Sequence, residues 1–68
     1  MDRIHINVSG IANSQMKTSL ENALDKIEGV QMVNIDIARQ TVEVGFNNPA
    51  NIADIENCVV NTGIIILT

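Results

Sequence analysis

Hydrophobic and polar residues trade places along this chain with two different periods. From Arg3 to Val8 they alternate, with Ile4, Ile6 and Val8 on one side and His5 and Asn7 on the other. That is the pattern of a half-buried strand. Gly10 interrupts it, and Asn13 or Ser14 is placed to cap a helix. Met16, Leu20, Ala23, Leu24 and Ile27 then recur at helical spacing, which predicts a helix to about Ile27 that Gly29 terminates. Period two returns at Val33, Ile35 and Ile37, and again at Val42, Val44 and Phe46. The polar segment Ala38-Arg39-Gln40 lies between, so the two runs read as an antiparallel hairpin. Asn47-Asn48-Pro49 breaks the pattern. Asn51 caps a second helix with Asp54 in its first turn, and its expected buried stripe is Ile52, Ile55, Val59 and Thr62, with Cys58 on the flank. Gly63 ends that helix, and Ile64 to Leu67 form a short apolar strand.

The order strand, helix, strand, strand, helix, strand makes two β-α-β halves. It predicts an α+β fold, a βαββαβ sandwich whose four-stranded antiparallel sheet carries both helices on one face. One polar and one apolar face on each long strand agree with it. The 68 residues form one domain, residues 1–68. Domains this small often lean on a disulfide or a structural metal. Here the single cysteine rules out an internal disulfide, and stability falls to an apolar core that the 46% hydrophobic content can supply.

Charge narrows the function. The net charge is −4, and the four basic residues, Arg3, Lys17, Lys26 and Arg39, are scattered. Nucleic acid and anionic membranes need a clustered basic face, so neither is an expected partner. Phe46 is the only aromatic residue, which removes base-stacking platforms. No apolar run reaches the ~20 residues of a membrane span, so no membrane insertion is expected. The start carries no signal-peptide pattern and the lone thiol suits a reducing compartment, so the expected location is cytoplasmic.

The segment Ile6-Asn7-Val8-Ser9-Gly10-Ile11 resembles the first strand and metal loop of heavy-metal-associated domains, the family of bacterial copper chaperones and of the N-terminal modules of metal-pumping P-type ATPases. Gly29-Val30, Val33, Ile35-Asp36-Ile37, Val42 and Val44 match the family hairpin. Phe46 to Pro49 is similar to its aromatic-Asp-Pro turn with one residue extra, and Ile55, Cys58, Val59 and Gly63 to its second helix. The resemblance covers nearly the whole chain and implies the ferredoxin-like form of the βαββαβ sandwich. It departs at the site. The two positions of the family's Cys-x-x-Cys motif are Asn13 and Met16 here, the loop Met is Ile11, and the Thr is Ala12.

The family holds Cu(I) or a similar soft ion between two thiolates, which are soft and anionic. Asn13 offers a neutral amide oxygen and Met16 a neutral thioether, so the resemblance implies weak binding of Cu(I) or another soft metal ion through the loop, or none. Asn13 and Met16 are the candidate metal positions. Their plain structural readings are a helix cap and the start of the core stripe. Cys58 is a candidate extra ligand, against a packing role as a small hydrophobe. His5 reads as a solvated residue of the polar face. No acid–base pair, catalytic triad or phosphate loop is recognisable, so no catalytic residue and no certain cofactor is assigned. Two functions remain: a small metal-handling protein with a degenerate loop, either a small cytosolic carrier or a module docking on a metal-transporting P-type ATPase or a related domain, and a non-metal protein–protein interaction module on the same fold. Exposed sheet edges also admit a homodimer.

Overall fold

The computed structural model describes all 68 residues. Alternation sets the strands where the hydrophobic pattern places them: β1 spans Asp2–Ser9, β2 Val30–Asp36, β3 Thr41–Phe46 and β4 Ile65–Ile66. Two helices, α1 (Ser14–Asp25) and α2 (Ile52–Asn61), intervene to give βαββαβ. The sheet order is β2-β3-β1-β4 and every pairing is antiparallel. β1 is central: Ile4 faces Val44 and Ile6 faces Val42 on β3, while Val8 and Ser9 pair with Ile66 and Ile65 on β4. Both helices cover one face of this sheet, and the opposite face stays open.

The core forms between sheet and helices. Ile6, Leu20, Leu24, Val42, Val44, Ile55 and Val59 are its fully buried members. At ~1.5–3 kcal/mol for each large aliphatic side chain removed from water, this cluster supplies stability that no internal disulfide provides. Leu20 and Leu24 are the buried residues of α1, and Met16, Ala23 and Ile27 pack half-buried beside them. The helix stops at Asp25, two residues before Ile27, whose amide instead closes a turn onto the Leu24 carbonyl. Gly29 then takes φ +99°, and a Cβ there would collide with the Asn47 carbonyl and the Ala50 amide. The chain needs a glycine at that crossing.

Further details differ from the sequence expectation, among them β4, which is only Ile65–Ile66 where the sequence pattern predicts Ile64 to Leu67. β2 begins at Val30 rather than Val33, carried further by a bulge between Val30 and Met32. Ile37 belongs to the hairpin turn, because the register pairs Asp36 with Thr41 and leaves residues 37–40 to cross over. On α2 the stripe is shorter than expected: Ile55 and Val59 are buried and Thr62 half-buried, but Ile52 is 50% exposed. Ala50, just before the cap, takes the inward position at that end of the helix and is itself buried.

Candidate functional site: the loop between β1 and α1

β1 delivers the chain to Gly10, whose φ of +108° turns it toward α1. A Cβ at Gly10 would meet nothing nearer than 3.9 Å, so the glycine answers a backbone conformation and not a steric demand. Ile11 is buried and anchors the loop in the core. Its backbone is held by one side chain from the far hairpin. The Gln40 Oε1 accepts from the Ile11 amide at 3.0 Å, and the Gln40 Nε2 donates to the Ile11 carbonyl at 2.9 Å and to the Ile37 carbonyl at 2.8 Å. Gln40 itself sits at φ +53°, a conformation that L residues visit rarely, and its carbonyl accepts from the Val8 amide at 3.0 Å. The carboxamide thus satisfies both backbone polar groups of Ile11, which no strand ladder reaches.

Asn13 is the N-cap of α1. Its backbone is extended, and its Oδ1 accepts from the Met16 amide at 2.9 Å. This is the geometry that satisfies one of the unpaired amides at a helix start. The two residues that the family resemblance sets at the cysteine positions are therefore bonded to each other through the cap. Around them lies a shallow depression of about 300 Å³, lined by Asn13, Gln15, Met16, Ser19, Thr62 and Ile64. Its donors are amides, hydroxyls and one thioether; none carries charge. Met16 is half-buried and packs against the core, as its place in the helical stripe requires.

Cys58 lies elsewhere. It is half-buried on α2, in a groove of about 380 Å³ whose lining includes Ala23 and Ile27 from the α1 side and Asp54, Asn57 and Asn61 along α2. Only Thr62 lines both hollows, so the structure brings Asn13 and Met16 together and sets Cys58 apart from them. Burial pushes the Cys58 thiol above its ordinary range, which favours the protonated form over the thiolate that a soft metal prefers. His5 is exposed on the open sheet face, directly across from Glu43. No group of three or more His, Cys, Asp or Glu side chains is gathered anywhere in a form that holds a metal ion.

Gln40 is the residue that sequence reasoning passed over. Nothing in the hydrophobic period marks it. Its partner is 29 positions away, and glutamine is not a residue whose presence signals a left-handed turn.

The arrangement has relatives. The chain is 30% identical over 61 residues to the COP-associated protein of Helicobacter felis, covering 90% of this chain and 92% of that protein. Among solved structures it superposes on the CsoZ metallochaperone with a TM-score of 0.94 and 28% identity, across 98% of this chain and 97% of that one. The N-terminal domain of a potential copper-translocating P-type ATPase from Bacillus subtilis, solved in its Cu(I)-loaded state, matches with a TM-score of 0.86 and 26% identity over 94% of this chain and 81% of that one. No family model matches the chain.

Proposed function

The chain belongs to the heavy-metal-associated, copper-chaperone-like family, and from that premise we propose that it serves metal handling as a docking module whose loop holds Cu(I) weakly or not at all. The observation that carries this reading is the cap. The Asn13 Oδ1, at the first of the two family cysteine positions, already accepts from the Met16 amide. Its neighbour Met16 is a neutral thioether partly folded into the core. A Cu(I) ion entering here meets no negative charge, whereas a pair of thiolates would neutralise it and match its softness. Kinship with metallochaperones supports a non-enzymatic role. The partner we assign is a metal-transporting P-type ATPase or a related domain, supported by the likeness to the Bacillus subtilis ATPase module.

Competition for Cu(I) under reducing conditions tests the reading. The wild-type protein should yield the ion to a moderate chelator. Asn13→Cys with Met16→Cys should retain it, with affinity higher by several powers of ten, because two charged soft donors replace two neutral ones. A wild-type protein that holds Cu(I) as tightly as the double variant would refute the proposal.

A second reading, a module that binds its partner without any metal, is favoured by the Gln40 clamp and the Asn13 cap, through which the chain's own groups fix the loop's shape. The two separate on one measurement. A docking partner in metal handling is an ATPase metal domain and its binding responds to copper on that domain; a metal-independent module binds alike with and without copper.

A further inference from the structure

β1 is central in the sheet order, yet only part of it has a neighbour on both sides. β3 runs beside Asp2 to Asn7, whereas β4 pairs with Val8 and Ser9 alone. Successive residues of an antiparallel ladder turn their backbone groups to alternate sides. The Val8 amide donates toward β3, to the Gln40 carbonyl at 3.0 Å. Asn7 points the other way: its amide donates to the Thr68 carbonyl at 3.4 Å, and its carbonyl accepts from the Leu67 amide at 2.8 Å. Arg3 and His5, in phase with Asn7, turn their N–H and C=O groups to that same side, where no strand runs beside them. The core is thin at the same place. Ile6 and Val8 are buried, but Ile4 is only half-buried. Asp2 shares the sheet face of Ile4 and lines the largest hollow on the surface, about 740 Å³, together with the buried Phe46 and Ala50 and with Ile52 and Ala53 at the start of α2. The half-exposed Ile52 thus presents its apolar surface to this hollow.

We infer that the first half of β1 is a strand-addition site: an extended segment of a partner protein runs in line with β4, exchanges hydrogen bonds with the backbone of Arg3 and His5, and seats a large aliphatic side chain in the hollow against Phe46, Ala50 and Ile52. Such recognition has two parts, and both are present. Backbone groups on a free edge bind without regard to sequence, and a pocket beside alternate positions selects the side chain. A second copy of this chain is the poorer occupant. Paired about a two-fold axis, two such edges set Arg3 opposite Arg3 or His5 on one face of the sheet, where like charges repel, and each copy carries a net charge of −4. The same net charge favours a segment of net positive charge. The site lies at the end of β1 away from Gly10, so it owes nothing to the loop between β1 and α1.

The probe is a short peptide, Lys-Thr-Val-Thr-Leu-Thr-Val-Lys, acetylated and amidated, whose valines and leucine share one face and whose threonines share the other. Amide resonances of the nitrogen-labelled protein are followed by NMR as peptide is added, and amide exchange is measured in the complex. Shifts should centre on Arg3, His5, Ile52 and Ala53 while Asn13 stays in place, and the Arg3 and His5 amides should gain protection. Replacing the leucine by glycine should weaken binding by about tenfold or more, the loss expected for one buried aliphatic side chain. Residues directly opposite each other share a sheet face, so the threonines stand opposite Arg3 and His5 and exchange their hydrogen bonds. Methylating the threonine backbone nitrogens should therefore abolish binding, while methylating those of the valines and leucine should leave it intact. Ile52→Ala, at an exposed position, should weaken the leucine peptide and leave the glycine peptide unchanged. Static Arg3 and His5 resonances, equal binding of the two methylated peptides, or equal loss of both peptides in Ile52→Ala would each overturn the inference. So would protection of the two amides that grows with protein concentration and needs no peptide, which would give the edge to a second copy. None of these readouts passes through copper, so the inference and the reading of the loop fail separately.

Discussion

Removing the Gln40 carboxamide should loosen the loop that the family uses for metal, and the structure sets the scale. Gln40→Ala deletes three side-chain hydrogen bonds of 2.8–3.0 Å, two to Ile11 and one to Ile37. Each is worth ~0.5–1.5 kcal/mol net, and water reaches the partly buried Ile11 groups once the side chain is gone, so the expected loss is about 2 kcal/mol. The backbone adds a second, separable effect. At φ +53° an alanine bears a left-handed penalty of ~1–2 kcal/mol that glycine escapes, against ~0.4–1 kcal/mol for glycine's greater freedom in the unfolded chain. Gln40→Gly should therefore cost about 0.5–1 kcal/mol less than Gln40→Ala, although it removes the same bonds. Phe46 is the only aromatic residue, so urea unfolding is best followed by far-ultraviolet circular dichroism. With a slope near ~1 kcal/mol per molar urea for so small a domain, the Gln40→Ala midpoint should fall by about 2 M. Amide exchange gives the local readout: the Ile11 amide should lose protection in both variants while the Leu24 and Val44 amides follow only the global change. A Gln40→Ala loss below about half a kcal/mol, with Ile11 exchange unchanged, would show that the clamp does not hold the loop.

The other predictions concern packing and the thiol. Leu24→Ala and Ile55→Ala, both at fully buried positions, should each cost ~2–5 kcal/mol, while Ile52→Ala on the exposed side of the first turn of α2 should cost under about 1 kcal/mol; equal costs at positions 52 and 55 would mean that the helix phase is wrong. Cys58 should react with a thiol reagent more slowly in the folded protein than after denaturation, and matching rates would place its sulfur at the surface. Because burial raises the thiol's pKa in the folded state, the unfolded chain gives up its proton first as pH rises. Stability from this group is therefore complete below the ordinary thiol range and declines through the alkaline range above it, and Cys58→Ala should remove that slope in urea midpoints measured against pH.

The six elements were legible because each rests on a local signal. Ile4, Ile6 and Val8 set β1 by period two, Leu20 and Leu24 set α1 by period 3.6, and Asn13 and Asn51 announce their helices by capping chemistry that acts within three residues. What escaped is non-local or depends on competition for the core. The Val30/Met32 bulge is decided by where two strands meet, and one extra residue there changes which side chains face inward. Ile52 fits the helical stripe of α2 by period, yet Ala50 takes the inward position at that end and Ile52 turns to water. At the loop, the sequence offered Asn13 both as a cap and as a metal position, and the hydrogen bond to the Met16 amide realises the cap. Cys58, the candidate extra ligand, lies on α2 in the groove lined by Ala23 and Ile27, a placement fixed by how the two helices pack and not by its spacing from Asn13 and Met16. Gln40 left no trace because a glutamine reaching across 29 residues has no period to betray it.

The edges of the sheet bear on how the chain behaves when crowded. An open edge is a template for further strands, and fibrillar assembly begins where such a template is long and flat. β4, at one edge, is two residues long and offers almost no ladder to extend. β2, at the other, is seven residues long, but its register is broken between Val30 and Met32, and it places exposed Gln31 and Asn34 along its length. Neither edge offers a long, regular ladder for a second copy to continue. Encounters between copies then fall to side chains on the helical and open faces, where recognition depends on shape and chemistry, and concentrated solutions of this chain should resist the backbone-to-backbone stacking to which short β-rich proteins are prone.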